Sequence, residues 1–107
     1  MAQAIVIHQP GGPGVLQPQT ITVGKPGPNE LRIRQTAIGV NFHDVYVRSG
    51  LYKTLPLPGI PGIEAVGIVE ETGSQVTNFT VGDRIGYITR SYGVYTSERL
   101  LPADLAI

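Results

Sequence analysis

The sequence predicts a mainly β domain, a small, partly open β-barrel of about six or seven short strands with one short helix. Three observations carry this. Fourteen glycines and nine prolines make up about a fifth of the 107 residues, against roughly 12% on average, and they leave β-branched runs between them. In the stretch ELRIRQTAIGV, Leu31, Ile33 and Gln35 alternate with Arg32, Arg34 and Thr36, the period of a half-buried strand. Only one window, beginning at Asn41, has the spacing of a helix.

The elements follow in order. QAIVIH, Gln3 to His8, is a first strand, stopped by Pro10, Gly11, Gly12, Pro13 and Gly14. LQPQTITV is a second, and Pro18 confines its start to an edge or bulge because it has no amide to donate. GKPGPNE is a turn, and the third strand then becomes continuously apolar near Ala37, as if entering a core. From Asn41 the period changes. Phe42, Val45, Tyr46 and Ser49 fall at i, i+3, i+4, i+7, which makes about two turns of helix with Asn41 as N-cap and Gly50 as left-handed stop. Asp44 and Arg48 are spaced to pair on one face. KTLPLPGIPG can be neither helix nor central strand, and EAVGIVEETG is a strand from Glu64 to Glu71. After the loop SQVTNFTVGDR, whose Asp83 is expected to bond local backbone, RIGYITR and GVYTSERLL read as a hairpin around SYG. Tyr87, Tyr92 and Tyr95 would pack within it, and PADLAI resembles the start of a further segment.

Composition removes several function classes. Eight basic residues balance eight acidic ones and are scattered, so the basic stripe that nucleic acid requires is missing. No apolar run approaches the roughly 20 residues that span a bilayer, and MAQAIVIHQP lacks the basic start of a signal peptide. Without cysteine there is no disulfide and no thiolate-bound zinc, in keeping with a reducing, cytoplasmic setting. No strand–helix unit carries G-x-G-x-x-G, because GGPG is followed by VLQPQT, which cannot open a helix.

The informative passage is AIGVNFHDVYVRSGLY, residues 37–52. Within it Asn41, His43, Asp44, Tyr46, Arg48 and Tyr52 gather beside a strand end. Structural duties account for some of them. An N-cap role suffices for Asn41, Tyr46 could be a core aromatic with its hydroxyl at the surface, and a helical His is more often solvent-facing than catalytic. Glu64, in an apolar strand, is either buried with a partner or near a cleft.

Four stretches, GGPGVL, AIGVNFHDVYVRSGLY, PGIPGIEAVGIVEETGSQV, and FTVGDRIGY leading to YGVYTSERLL, occur in an order similar to one family. The chain resembles the N-terminal GroES-like domain of the medium-chain dehydrogenase/reductase superfamily, and within it the zinc-free NADPH:quinone oxidoreductases related to zeta-crystallin. The resemblance runs almost end to end, making residues 1–107 a single GroES-like domain. It implies a Rossmann-type cofactor domain elsewhere in a longer, homodimeric protein, without which these residues should bind NADPH weakly and not turn over.

Zinc-dependent relatives carry Cys at the position of Asn41 and a His-Glu pair at Ile63-Glu64, so the resemblance implies no metal site here. It assigns Asn41, Phe42, His43, Asp44 and Tyr46 to the nicotinamide end of NADPH. Asn41, Tyr46 and Tyr52 would serve the reaction, Tyr46 donating a phenol hydrogen bond and Tyr52 walling the quinone. His43 stands where many relatives have an apolar residue or Pro. A quinone spreads the charge left by hydride over its ring, so an apolar pocket with weak donors would suffice where an alkoxide needs a Lewis acid. The alternatives are enoyl or alkenal reduction at the same site, and a stand-alone GroES-like binding module without enzyme activity. Three prolines in LYKTLPLPGIPG speak against the mobile docking loop of a co-chaperonin.

Overall fold

The computed structural model describes residues 1–107. It contains six strands and one helix: β1 (Ala2–Val6), β2 (Gln17–Ile21), β3 (Glu30–Ile38), α1 (Phe42–Ser49), β4 (Glu64–Thr72), β5 (Arg84–Ile88) and β6 (Glu98–Pro102). Single 3-10 turns lie at Pro13–Val15 and Ala103–Leu105. No helix is long and apolar enough to cross a membrane.

Two open sheets form in place of a closed barrel. β1 and β2 pair antiparallel, with Pro18 opposite Ile5 on a strand that has no second neighbour, the edge position its missing amide requires. The other four strands lie in the order β5-β4-β3-β6, all antiparallel. The sheets meet where Ile5 N–H donates to Tyr95 O at 2.9 Å and Ser97 N–H to Gln3 O at 2.8 Å. The core is the inward set of the larger sheet: Leu31, Ile33, Ala65, Val69, Ile85, Tyr87 and Leu101, with Val94 from the β5–β6 connection. On the other face of β3, Arg32 bonds Glu71 at 3.2 Å and Glu98 at 2.9 Å, joining three strands. The 80–83 turn forms as expected, with Thr80 N–H donating to Asp83 Oδ2 at 2.9 Å.

Three expectations are corrected. β5 and β6 are not a hairpin. β5 pairs with β4 and β6 with β3, at opposite edges of the sheet, and residues 89–97 cross between them through a reversal at Tyr92 and Gly93, with φ of 62° and 82°. A turn signal such as SYG fixes a reversal, not the partner of the strand that follows. The end of β3 does not sink into the core either. Ala37, Ile38 and Val40 are exposed, because the sheet has no layer over that end. The first two strands are shorter than predicted, stopping at Val6 and Ile21.

Candidate functional site

The helix expected at 42–49 is present with the expected stops. Asn41 enters extended at φ −127°, ψ 157°, and Gly50 leaves in the left-handed region at φ 86°, where a Cβ would be strained. Asp44 Oδ2 accepts from Asn41 N–H at 3.0 Å, the returning half of a capping box. Its orientation is the surprise. Asp44 and Val47 face inward, while Phe42, Val45 and Tyr46 face out, Phe42 at 79% exposure. The apolar spacing therefore marks an uncovered surface, continuous in sequence with exposed Ile38 and Val40.

The inward carboxylate is held by a residue far away in sequence. Tyr95 Oη donates to Asp44 Oδ2 at 2.6 Å. Burial, and then the adjoining carboxylate, push the Tyr95 phenol well above the usual tyrosine range, because both disfavour a second negative charge. The expected Asp44–Arg48 pair does not form. Arg48 Nε instead donates to Gly11 O at 3.2 Å, securing the glycine-rich loop after β1.

Four rings gather beside the helix. His43 stacks on Tyr92 (centroids 5.9 Å apart, 19°) and tilts against Tyr52 (5.4 Å, 50°), which meets Tyr46 edge-on at 5.4 Å. Tyr52 is brought back by its own N–H donating to Tyr46 O at 3.1 Å. His43 Nε2 is 3.1 Å from Tyr92 Oη, which also bonds Thr54 Oγ1. Of the residues singled out from sequence, His43, Tyr46 and Tyr52 thus share one cluster, and Asn41 and Asp44 form a second node at the helix start. Phe42 stands free of both on the outer face. Glu64, half-buried at the start of β4, lines an apolar groove of about 380 Å³ with Ile38, Gly39, Val66, Tyr87 and Ile88. Tyr92 and Tyr95, expected only to pack a hairpin, instead anchor α1 across 49 and 51 residues, and no local pattern announces such contacts.

Two polar atoms in this region are buried without a partner, Asn41 Nδ2 and Asp44 Oδ1. An orphaned buried group costs about 1–3 kcal/mol, so the first turn of α1 holds a donor and an acceptor closed off from solvent at a cost. No three His, Cys, Asp or Glu side chains converge to hold a metal ion.

Comparison with known proteins gives a consistent result. Residues 27–102 match the family model described as the alcohol dehydrogenase GroES-like domain. The chain is 47% identical over 107 residues to the quinone oxidoreductase of Pseudomonas aeruginosa, covering 97% of this chain and 32% of that protein. It is 46% identical over 110 residues to a 2-haloacrylate reductase of Burkholderia sp, covering 100% of this chain and 33% of that one. Its fold superposes on Escherichia coli quinone oxidoreductase complexed with NADPH at a TM-score of 0.92 and 42% identity, over 100% of this chain and 32% of that one. The chain spans about a third of the length of the curated relatives it matches.

Proposed function

The chain belongs to the alcohol dehydrogenase GroES-like domain family, and from that premise we propose that it forms the acceptor-side wall of an NADPH-dependent oxidoreductase that reduces quinones. One observation carries the reading: an uncovered apolar face of Phe42, Val45 and Tyr46 on α1, continuous in sequence with exposed Ile38 and Val40. The flat, largely apolar ring of a nicotinamide suits a surface such as Phe42 and Tyr46, so the face fits the group. When bound, NADPH supplies the hydride.

The chain's own residues do the rest. Asn41 orients the carboxamide, and the first turn behind it, closed by the Asp44 carboxylate on Asn41 N–H, limits how far it can tilt. Phe42 and Val45 exclude water from the contact. Tyr46 donates its phenol hydrogen bond toward the acceptor's oxygen, and Tyr52, edge-on to it, walls the acceptor. Weak donors suffice, since the ring of a quinone disperses the arriving charge. The opposing wall is a Rossmann-type domain in the remaining two-thirds of the protein, which acts as a cytoplasmic homodimer.

A second reading shares this site. The similarity to a 2-haloacrylate reductase favours an activated alkene as acceptor, a carbon–carbon double bond that also takes hydride without a metal. The experiment is nucleotide binding and NADPH oxidation by the full-length protein, with a benzoquinone and with an α,β-unsaturated acid as acceptors. Asn41→Ala should weaken NADPH binding on the order of tenfold, one hydrogen bond's worth. Unchanged affinity and turnover in that variant, or no oxidation with either acceptor, would overturn the proposal.

A further inference from the structure

We propose that His43, Tyr92 and Thr54 form a proton relay that delivers a solvent proton to the reduced acceptor; the inference rests on the oxidoreductase reading above. The geometry is a continuous chain of exchangeable hydrogens. His43 Nε2 lies 3.1 Å from Tyr92 Oη, and Tyr92 Oη bonds Thr54 Oγ1. Thr54 is exposed, so the chain opens to water at one end. At the other end His43 makes its only side-chain hydrogen bond through Nε2, leaving Nδ1 for a ligand.

Tyr92 is an unusual choice if packing were its whole purpose. Its side chain is buried, yet its backbone sits at φ 62°, a region that costs a bulky residue free energy. Arg99 Nη1 fixes that backbone by donating to Tyr92 O at 3.0 Å. A phenylalanine would fill the same volume. What the hydroxyl adds is a bridge between a half-buried imidazole and a surface alcohol. The groups facing His43 are the phenols of Tyr52 and Tyr92, with the Arg99 guanidinium behind Tyr92. The Asp44 carboxylate on its own helix is engaged by Asn41 N–H and Tyr95.

The chemistry balances. Hydride brings a quinone two electrons and one proton, leaving a hydroquinone monoanion that needs one more proton. The Nδ1–H bond of neutral His43 breaks as the acceptor's O–H bond forms. Nε2 takes the proton of Tyr92, Tyr92 takes that of Thr54, and Thr54 takes one from a surface water, whose hydroxide is neutralised by the buffered solvent. No further oxidant or reductant is required. The imidazole resets its tautomer by exchange with solvent once product has left.

The test uses the full-length protein with NADPH and a benzoquinone, in H₂O, D₂O and mixtures. Tyr92→Phe keeps the ring and breaks the chain. It should lower kcat about 10- to 100-fold, while nucleotide fluorescence titration shows NADPH affinity unchanged within about twofold. The wild-type proton inventory should be curved, as several protons move together, and linear in Tyr92→Phe. Added imidazole should partly restore His43→Ala, and ¹⁵N NMR should show the His43 Nε2 resonance shifting in Tyr92→Phe. A Tyr92→Phe variant with wild-type kcat and inventory would overturn the relay and leave the oxidoreductase reading standing. No NADPH oxidation by wild type with any acceptor would overturn both.

Discussion

Tyr95 Oη donates a 2.6 Å hydrogen bond to Asp44 Oδ2 and so ties the β5–β6 connection to the first turn of α1, 51 residues earlier. Asp44 is only 6% exposed, and its other oxygen has no partner, so Tyr95 and Asn41 N–H are all that compensate its charge. Tyr95→Phe, which removes only the hydroxyl, should destabilise the domain by about 1–3 kcal/mol. Urea denaturation at neutral pH measures this, and a change below a few tenths of a kcal/mol would show that the carboxylate is satisfied without it.

The same bond sets an alkaline limit. Burial first, and the Asp44 carboxylate second, raise the Tyr95 phenol, and burial raises Tyr87, with Arg99 opposing. A folded-state value above the unfolded one means that the native state holds its proton more tightly. The stability is therefore fully present below the ordinary tyrosine value of about 10 and is lost as pH rises through the raised values. Stability measured between pH 8 and 11 should be flat and then fall, and Tyr95→Phe should soften the fall. A variant with the wild-type alkaline slope would refute the assignment.

What was legible in sequence follows from how far each cause reaches along the chain. The limits of α1 were readable because Asn41 and Gly50 act within one turn, and β3 because Leu31 and Ile33 alternate with arginines. The direction the helix faces was not. An apolar stripe ordinarily faces the core, and here Val47 and the Asp44–Tyr95 bond secure the inner side while Phe42, Val45 and Tyr46 remain outside. Likewise RIGYI and ERLLP were identifiable as strands, whereas their placement at opposite sheet edges depends on β3 and β4 lying between them. The candidate site was visible in sequence only as a grouping of residue types around Asn41, of which His43, Tyr46 and Tyr52 come together on folding. Its anchors Tyr92 and Tyr95 were not, since each acts only through a contact made on folding.

Gly73 ends β4 against the turn before β3. A Cβ there would lie 2.0 Å from Gly27 O and 2.6 Å from Pro28 O, both backbone atoms that cannot swing aside. Gly73→Ala should therefore cost about 1–3 kcal/mol or more, with Gly12→Ala, which meets nothing, as the near-neutral control. Equal midpoints for the two variants in urea would contradict the close approach.

Arg32 links Glu71 and Glu98 across three strands, with Glu70 at 3.6 Å. Partial burial works against its charge, yet the hydrogen bonds it donates to Glu71 and Glu98 hold the guanidinium above its ordinary value. Arg32→Gln would leave three carboxylates facing one another. It should cost about 1–2 kcal/mol at low salt and less at 1 M NaCl, where screening weakens both attraction and repulsion. A loss independent of salt would make the packing of the Arg32 stem the cause instead.

The outer face of α1 separates folding from function. Phe42 is 79% exposed, so Phe42→Ser removes little buried surface and should change the domain's stability by no more than roughly 0.5 kcal/mol. If the face contacts nucleotide, the same change forfeits burial of a large aromatic at the binding contact. It should then raise the Kd for NADPH in the full-length protein by about tenfold. The control is Val47→Ser, on the buried side, which should do the opposite, costing stability while sparing affinity in the fraction that folds. The two variants together are decisive, because a face that served only to stabilise the domain would lower the urea midpoint in both and leave the nucleotide titration of Phe42→Ser where wild type stands.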